Sequence, residues 1–183
     1  MDARILSSNQ ELDDLYARLK LTPCPHCKRV GALIKHGFLR GYDTNHQLNK
    51  AIRAARVFCS NRNRRVGCGR TFSIWMADKV KRLFLGADSL WEFLTQAVAN
   101  NNKLAAFRSL HSGLSDSAPY RIWKRFSLAQ PAIRTALTRI CEPARIESHR
   151  PAQLTLAHLQ KAFEKHALSP IAAFAVNFQK FLI

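Results

Sequence analysis

Four cysteines in the first 70 residues, arranged as Cys24-Pro-His-Cys27 and, further on, Cys59 and Cys68, constrain this chain more than any other feature. Two turns that each present a pair of thiolates make the tetrahedral donor set of a structural zinc site, which can hold together a segment too small to bury a core of its own. Each pair borders a β-type run, and Gly67 and Gly69 flank Cys68, giving the backbone freedom that a metal-binding turn needs. The expectation is one structural zinc ion held by Cys24, Cys27, Cys59 and Cys68. Because the second pair is spaced more widely than the usual knuckle, His26 and His36 stand as substitute ligands for Cys59. The competing reading, four thiols in an apolar core, fits poorly with so much adjacent charge. The fifth cysteine, Cys141, lies far along the chain and is expected to be a core thiol in a helix. A catalytic zinc would need an open coordination position and a nearby base; the chain has no His-x-Glu, so a deaminase centre is not expected, and no catalytic residue is assigned.

Charge gives the second constraint. Among 183 residues, 29 are Lys or Arg and 12 are Asp or Glu, a net of +17. Residues 28–70 hold eleven of the cations and a single acid, Asp43, so more than half of the excess sits beside the cysteines. Neutralising phosphates releases counterions, which makes nucleic acid the first partner to consider, ahead of membranes and acidic proteins. An odd number of cysteines in this arrangement suggests a reducing compartment. With no leader-like start and no apolar run of about 18 residues, a cytoplasmic, nucleoid-associated protein is expected, without membrane attachment.

The expected fold class is α+β: a small antiparallel zinc ribbon followed by a mainly α-helical helix-turn-helix domain and C-terminal helices. Residues 1–21 are read as an N-terminal helix, with Leu12, Leu15, Tyr16 and Leu19 on one face of residues 8–20. The ribbon spans 22–76, with runs Ala32 to Leu39 and Ala54 to Cys59 joined by a polar segment holding Gly41, Asp43, Asn45 and Asn49. In 77–141, helices are expected from a cap at Asp88, from a cap at Asn101 or Asn102, from Asp116 or Ser117 with Pro119 in its first turn, and from Pro131 to Cys141. The remainder, 142–183, reads as a linker and two helices, Gln153 to Ala167 and Ser169 to Ile183. The apolar face of the latter either completes the helical core or forms a homodimer interface.

Three helices with a glycine-containing turn, His111 to Ser115, before the third have the layout of a helix-turn-helix. With Ile122, Trp123 and Phe126 inward, Tyr120, Arg121, Lys124 and Arg125 face outward beside Ser115 and Ser117, while Lys103 and Arg108 on the preceding helix are placed to grip phosphates. On the ribbon, Lys35, Arg40, Arg53, Arg56, Arg62, Arg64, Arg65 and Arg70 complete the candidate DNA contacts. A plain helical bundle with a solvated basic face is the alternative.

Cys24-Pro-His-Cys27, then Cys59 and Gly67-Cys68-Gly69-Arg70-Thr71-Phe72-Ser73 before a helical segment, resembles the zinc ribbon and helix-turn-helix of bacterial insertion-sequence transposases and their stand-alone DNA-binding relatives. The resemblance covers residues 22–130 and implies double-stranded DNA as partner. It does not extend to catalysis: after residue 130 the only acids are Glu142, Glu147 and Glu164, in a segment too short and too helical to carry a two-metal carboxylate triad. The expected function is therefore non-enzymatic: a zinc-stabilised DNA-binding protein, either accessory to a mobile element or a transposase-derived transcription regulator. Two alternatives remain: a DNA-binding subunit or fragment of a transposase or recombinase whose catalytic part lies elsewhere, and an RNA or single-strand binding module using Phe38, Tyr42 and Phe58.

Overall fold

A computed structural model describes residues 3–43, 46–81 and 83–183; Asn45, assigned to the polar segment above, lies outside the described residues. The chain builds a four-stranded sheet and six helices in the order β1 (Ala3–Leu6), α1 (Asn9–Ala17), β2 (Leu33–Asp43), β3 (His46–Cys59), β4 (Thr71–Met76), α2 (Ala87–Ala99), α3 (Lys103–Arg108), α4 (Ala118–Leu137), α5 (Pro151–Phe163) and α6 (Pro170–Phe178). The sheet order is β1-β4-β3-β2, with β1 parallel to β4 and the other pairs antiparallel.

The sheet divides two cores. Strand alternation sends Phe72 and Ile74 of β4 to one face, where they meet Leu15 and Leu19 of the α1 region, Leu33, Val57 and the buried cysteines. It sends Trp75 and its partner Ala54 to the other face, against the helices. Trp75 meets Phe181 edge to face at 5.4 Å. Helix α1 starts as its sequence suggests, with the Ser8 hydroxyl accepting the Glu11 amide and the Glu11 carboxylate accepting the Ser7 amide at 2.9 Å.

Four expectations are corrected here. The N-terminal 21 residues form more than a helix, because Ala3–Leu6 adds an edge strand to the sheet. The polar segment after Leu39 is not a loose connection: β2 and β3 stay paired out to Asp43 and His46. Since β4 pairs only with Ala54–Phe58, the rest of β3 and its β2 partner form a two-stranded arm, about 25 Å long at the usual rise per residue. Asp88 lies in the first turn of α2 without capping it, the N-cap being Gly86, whereas Asn102 does cap α3 through its Oδ1 and the Ala105 amide at 3.0 Å. Pro131 starts no helix but sits inside α4. Its missing N–H leaves the carbonyl one turn back, on exposed Ser127, open to water, while Gln130, Ile133 and Leu137 keep the helix seated on the core.

The C-terminal region completes the helical core. Ile171 through Ala175 of α6 are buried against α2 and α5, while Val176, Phe178 and Phe181 are half-buried. Helix α6 stops at Phe178, short of Ile183, because Gln179 turns left-handed (φ 50°). The Gln179 amide then accepts from the Ile5 N–H and donates to the Ile5 carbonyl, each at 2.9 Å, standing in for a backbone neighbour at the exposed side of edge strand β1. Cys141 lies beyond the end of α4 rather than within a helix, and its carbonyl is 3.0 Å from His158 Nε2. No described helix is long and apolar enough to cross a membrane.

Candidate metal centre and its basic surroundings

The first cysteine pair sits in the turn between α1 and β2. Backbone bonds from Cys24 N–H to the Arg29 carbonyl (2.9 Å) and from Lys28 N–H to the Cys24 carbonyl (2.8 Å) close that turn, and Lys28 adopts φ 62° to complete it. The second pair spans the β3–β4 connection: Cys59 ends β3 and Cys68 precedes β4. The wide spacing proves to be a loop pinched shut at its base. Gly67 N–H reaches the Ser60 carbonyl, Gly69 N–H the Cys59 carbonyl, and Cys59 N–H the Arg70 carbonyl, all at 2.9 Å. The intervening residues bulge outward and leave the two sulfurs adjacent. Gly67 is required there, since a Cβ on it would lie 2.3 Å from the Ser60 oxygen.

The four Sγ atoms lie within 4.8 Å of one another. Cys24 and Cys68 sulfurs are 3.8 Å apart, Cys27 and Cys59 sulfurs 3.7 Å. These separations are far too long for disulfides, but a tetrahedron with metal–sulfur bonds of about 2.3 Å has edges of about 3.8 Å. The residues present therefore fit a tetrahedral metal ion, and an all-thiolate set suits zinc or iron. Neither His26 nor His36 joins the cluster; His36 stacks on Phe58 at 5.2 Å between ring centroids.

Local electrostatics differ between the sulfurs. A hydrogen bond from the Arg29 amide lowers the Cys27 thiol to about 7, whereas burial raises Cys59 to about 12. The Cys68 N–H also points at the Cys59 sulfur, at 3.3 Å. Amides directed at sulfur stabilise thiolates, and a bound cation would bring all four into that form. Cys24 and Cys59 are fully buried, so the cluster is joined to the smaller core. With four protein sulfurs closing the tetrahedron, the arrangement suits a structural clamp.

Around the centre, the loop between Cys59 and Cys68 carries Arg62, Arg64 and Arg65, all exposed, with Asn63 and Arg64 both left-handed (φ 51° and 61°). Arg62 lies over the Phe58 ring at 5.7 Å, and Arg29 from the first knuckle donates to the Val66 carbonyl, tying the two knuckles together. Arg70, Lys35 and Arg40 are also exposed; Lys35 covers the Tyr16 ring at 4.1 Å. Arg56 is half-buried.

Arg53 does not belong to this surface. It is 7 % exposed and donates to the carbonyls of Tyr42 (2.6 Å) and Val80 (2.9 Å), bracing the arm against the β4–α2 connection. A β-bulge causes this: Leu39 pairs with Ala54 and Arg40 with Ile52, so Arg53 is the extra residue and turns inward over Gly41. Nothing in the local sequence separates Arg53 from its exposed neighbours.

On the helices, Ile122 and Phe126 pack inward and Trp123 is half-buried, leaving Tyr120, Arg121 and Lys124 exposed and Arg125 half-buried. Ser115 and Ser117 pair through their hydroxyls at 2.9 Å. Arg108 is held by the Asp116 carboxylate and Lys103 lies 5.1 Å from the Trp123 ring centroid, so both are less free than the sequence suggests. Helices α3 and α4 are separated by residues 109–117, longer than the about three to four residues of a helix-turn-helix turn. Compared with protein-family models, curated proteins and solved structures, the chain matches none.

Proposed function

We propose that this is a non-enzymatic, zinc-stabilised protein that binds double-stranded DNA, acting as an accessory to a mobile element or as a transcription regulator derived from one. The observation that carries the reading is the pinched loop between two clustered cysteines, which displays Arg62, Arg64 and Arg65 to solvent beside the exposed Arg70. A metal clamp that fixes the base of an arginine loop reduces the ordering cost of gripping phosphates. The basic arm, with Arg40 and Lys50 exposed, extends the same polarity, as β-ribbon readers do. In this reading α4 enters the major groove with Tyr120, Arg121 and Lys124, α2 and α3 being the supporting helices of a helix-turn-helix variant with a lengthened turn. Zinc is favoured over iron because the role is structural and needs no redox chemistry.

Selection of bound sequences from a random duplex pool, with and without a chelator, tests this reading. An enriched motif that is lost on chelation is the expected result; no enrichment at any salt concentration contradicts it. Binding to single strands or RNA is the second reading, favoured by Phe38 and Tyr42, which are 49 % and 47 % exposed near and along the arm and could stack on bases. Phe58, the third candidate, is buried and carries His36 and Arg62 on its ring. Competition between duplex and single strands separates the readings. A recombinase subunit as partner remains part of the proposal, tested by duplex cleavage only when that subunit is added.

A further inference from the structure

A cleft of about 390 Å³ lies where α2, α3, α4 and the start of α5 meet, away from the cysteine cluster. None of its described lining residues is acidic, while Lys103 and Arg150 line it as cations. Neither is ion-paired among the described residues; Lys103 meets only the Trp123 ring and Arg150 is exposed. Helix α5 runs for 13 residues and presents its N-terminus to the cleft, with Pro151 at its start and no side chain capping it. Pro151 has no N–H to offer, and the amides of Ala152 and Gln153 find no acceptor among the described residues, whereas Leu154 N–H bonds the Arg150 carbonyl.

A second observation points to a ligand. Gln130 of α4 lines the same cleft, is 5 % exposed, and makes no side-chain hydrogen bond among the described residues. Its amide is not among the enclosed, unsatisfied groups, so it opens into the cleft, where a bound group can take up its hydrogen bonds. Cations without an ion-pair partner, free helix N-terminal amides and a side-chain amide without a protein partner line one volume. This is the chemistry of an oxyanion site, and phosphate suits it best because its several acceptor oxygens can engage donors from three sides.

We propose that this cleft binds a phosphate group, with the Lys103 ammonium, the Arg150 guanidinium, the Ala152 and Gln153 amides and the Gln130 side-chain amide as its donors. The phosphate comes either from a DNA backbone or from a free phosphorylated ligand, and the site stands or falls independently of duplex binding. The test is a titration of the isotope-labelled, metal-loaded full chain with inorganic phosphate at constant ionic strength, read by amide resonances. Saturable shifts are expected for Ala152, Gln153 and the Gln130 side chain, with affinity weakened about 10-fold or more in the Lys103→Gln, Arg150→Gln double variant. Arg150→Gln alone, at an exposed position, gives a smaller loss and guards against a folding defect.

A second arm adds a short duplex. If it shifts the same amides and phosphate displaces it, the DNA backbone is the source. If phosphate saturates the amides and the duplex leaves them unmoved, the source is a free ligand. No shift with either probe, or identical titrations in native protein and double variant, overturns the proposal.

Discussion

The two cores on either side of the sheet are built on different principles. The helical side buries Phe93, Phe107, Phe126 and Phe163 almost completely, together with Leu85, Leu90, Leu94, Leu137 and Leu159. Each such side chain contributes about 1.5–3 kcal/mol by leaving water. The ribbon side has no phenylalanine so fully enclosed; beyond Leu33 and Ile74, its deepest groups include the sulfurs of Cys24 and Cys59. Where apolar bulk runs short, four thiols cluster closely enough to hold a metal ion. The charged surface is likewise set apart from the larger core, because the densest run of exposed arginines lies beside the cysteine cluster.

The strongest way to break this contrast is Cys59→Ser, or Cys24→Ser. Loss of a buried ligand should abolish stoichiometric metal binding and unfold the ribbon core while most helical signal survives; structural zinc commonly supplies about 10–16 kcal/mol to the segment it folds. Metal content with circular dichroism checks it, and a cooperative collapse of both halves would show that the helical core also relies on the metal. Next in size is Gly67→Ala, which forces a methyl into the Ser60 carbonyl and should cost about 3 kcal/mol, read as earlier loss of metal on denaturant titration.

Replacing Arg62, Arg64 and Arg65 together by alanine should leave metal content unchanged. It should lower duplex affinity and reduce the slope of log K against log salt by about 2 to 3. An unaltered slope would move the DNA surface away from the loop. Smallest is the Arg108–Asp116 pair on the helical side. The Arg108 guanidinium, donating to Asp116, holds that carboxyl below its ordinary 3.8, so its contribution is present above that value and is lost as pH falls through the lower folded value. The exposed pair should matter little near neutrality, and Asp116→Asn should flatten only the acid limb of a stability profile.

Much of this contrast was legible in the sequence. The clustering of the four cysteines was readable despite the wide second spacing, because Gly67 and Gly69 signalled a tight backbone approach around Cys68. Helix positions followed from apolar periodicity and from caps such as Ser8 and Asn102. What escaped depends on distant partners. Four residues, Ala3–Leu6, carry no strand signal until β4 arrives, and the Gln179 side chain finds Ile5 from the far end of the chain. Arg53 reads as a surface cation until a bulge turns it inward, and Pro131 reads as a helix start because sequence alone does not reveal that its neighbours are held by the core. The arm's length was hidden by polar residues whose pairing comes only from each other.

We propose that a metal clamp orders the arginine-bearing ribbon through which the protein engages DNA. The most direct test is duplex affinity measured on the native chain while metal is withdrawn stepwise by a chelator and helix content is followed in parallel. Affinity should fall in proportion to bound metal, one ion per chain, while the helical signal stays largely constant. Duplex affinity unchanged in the metal-free protein would contradict it.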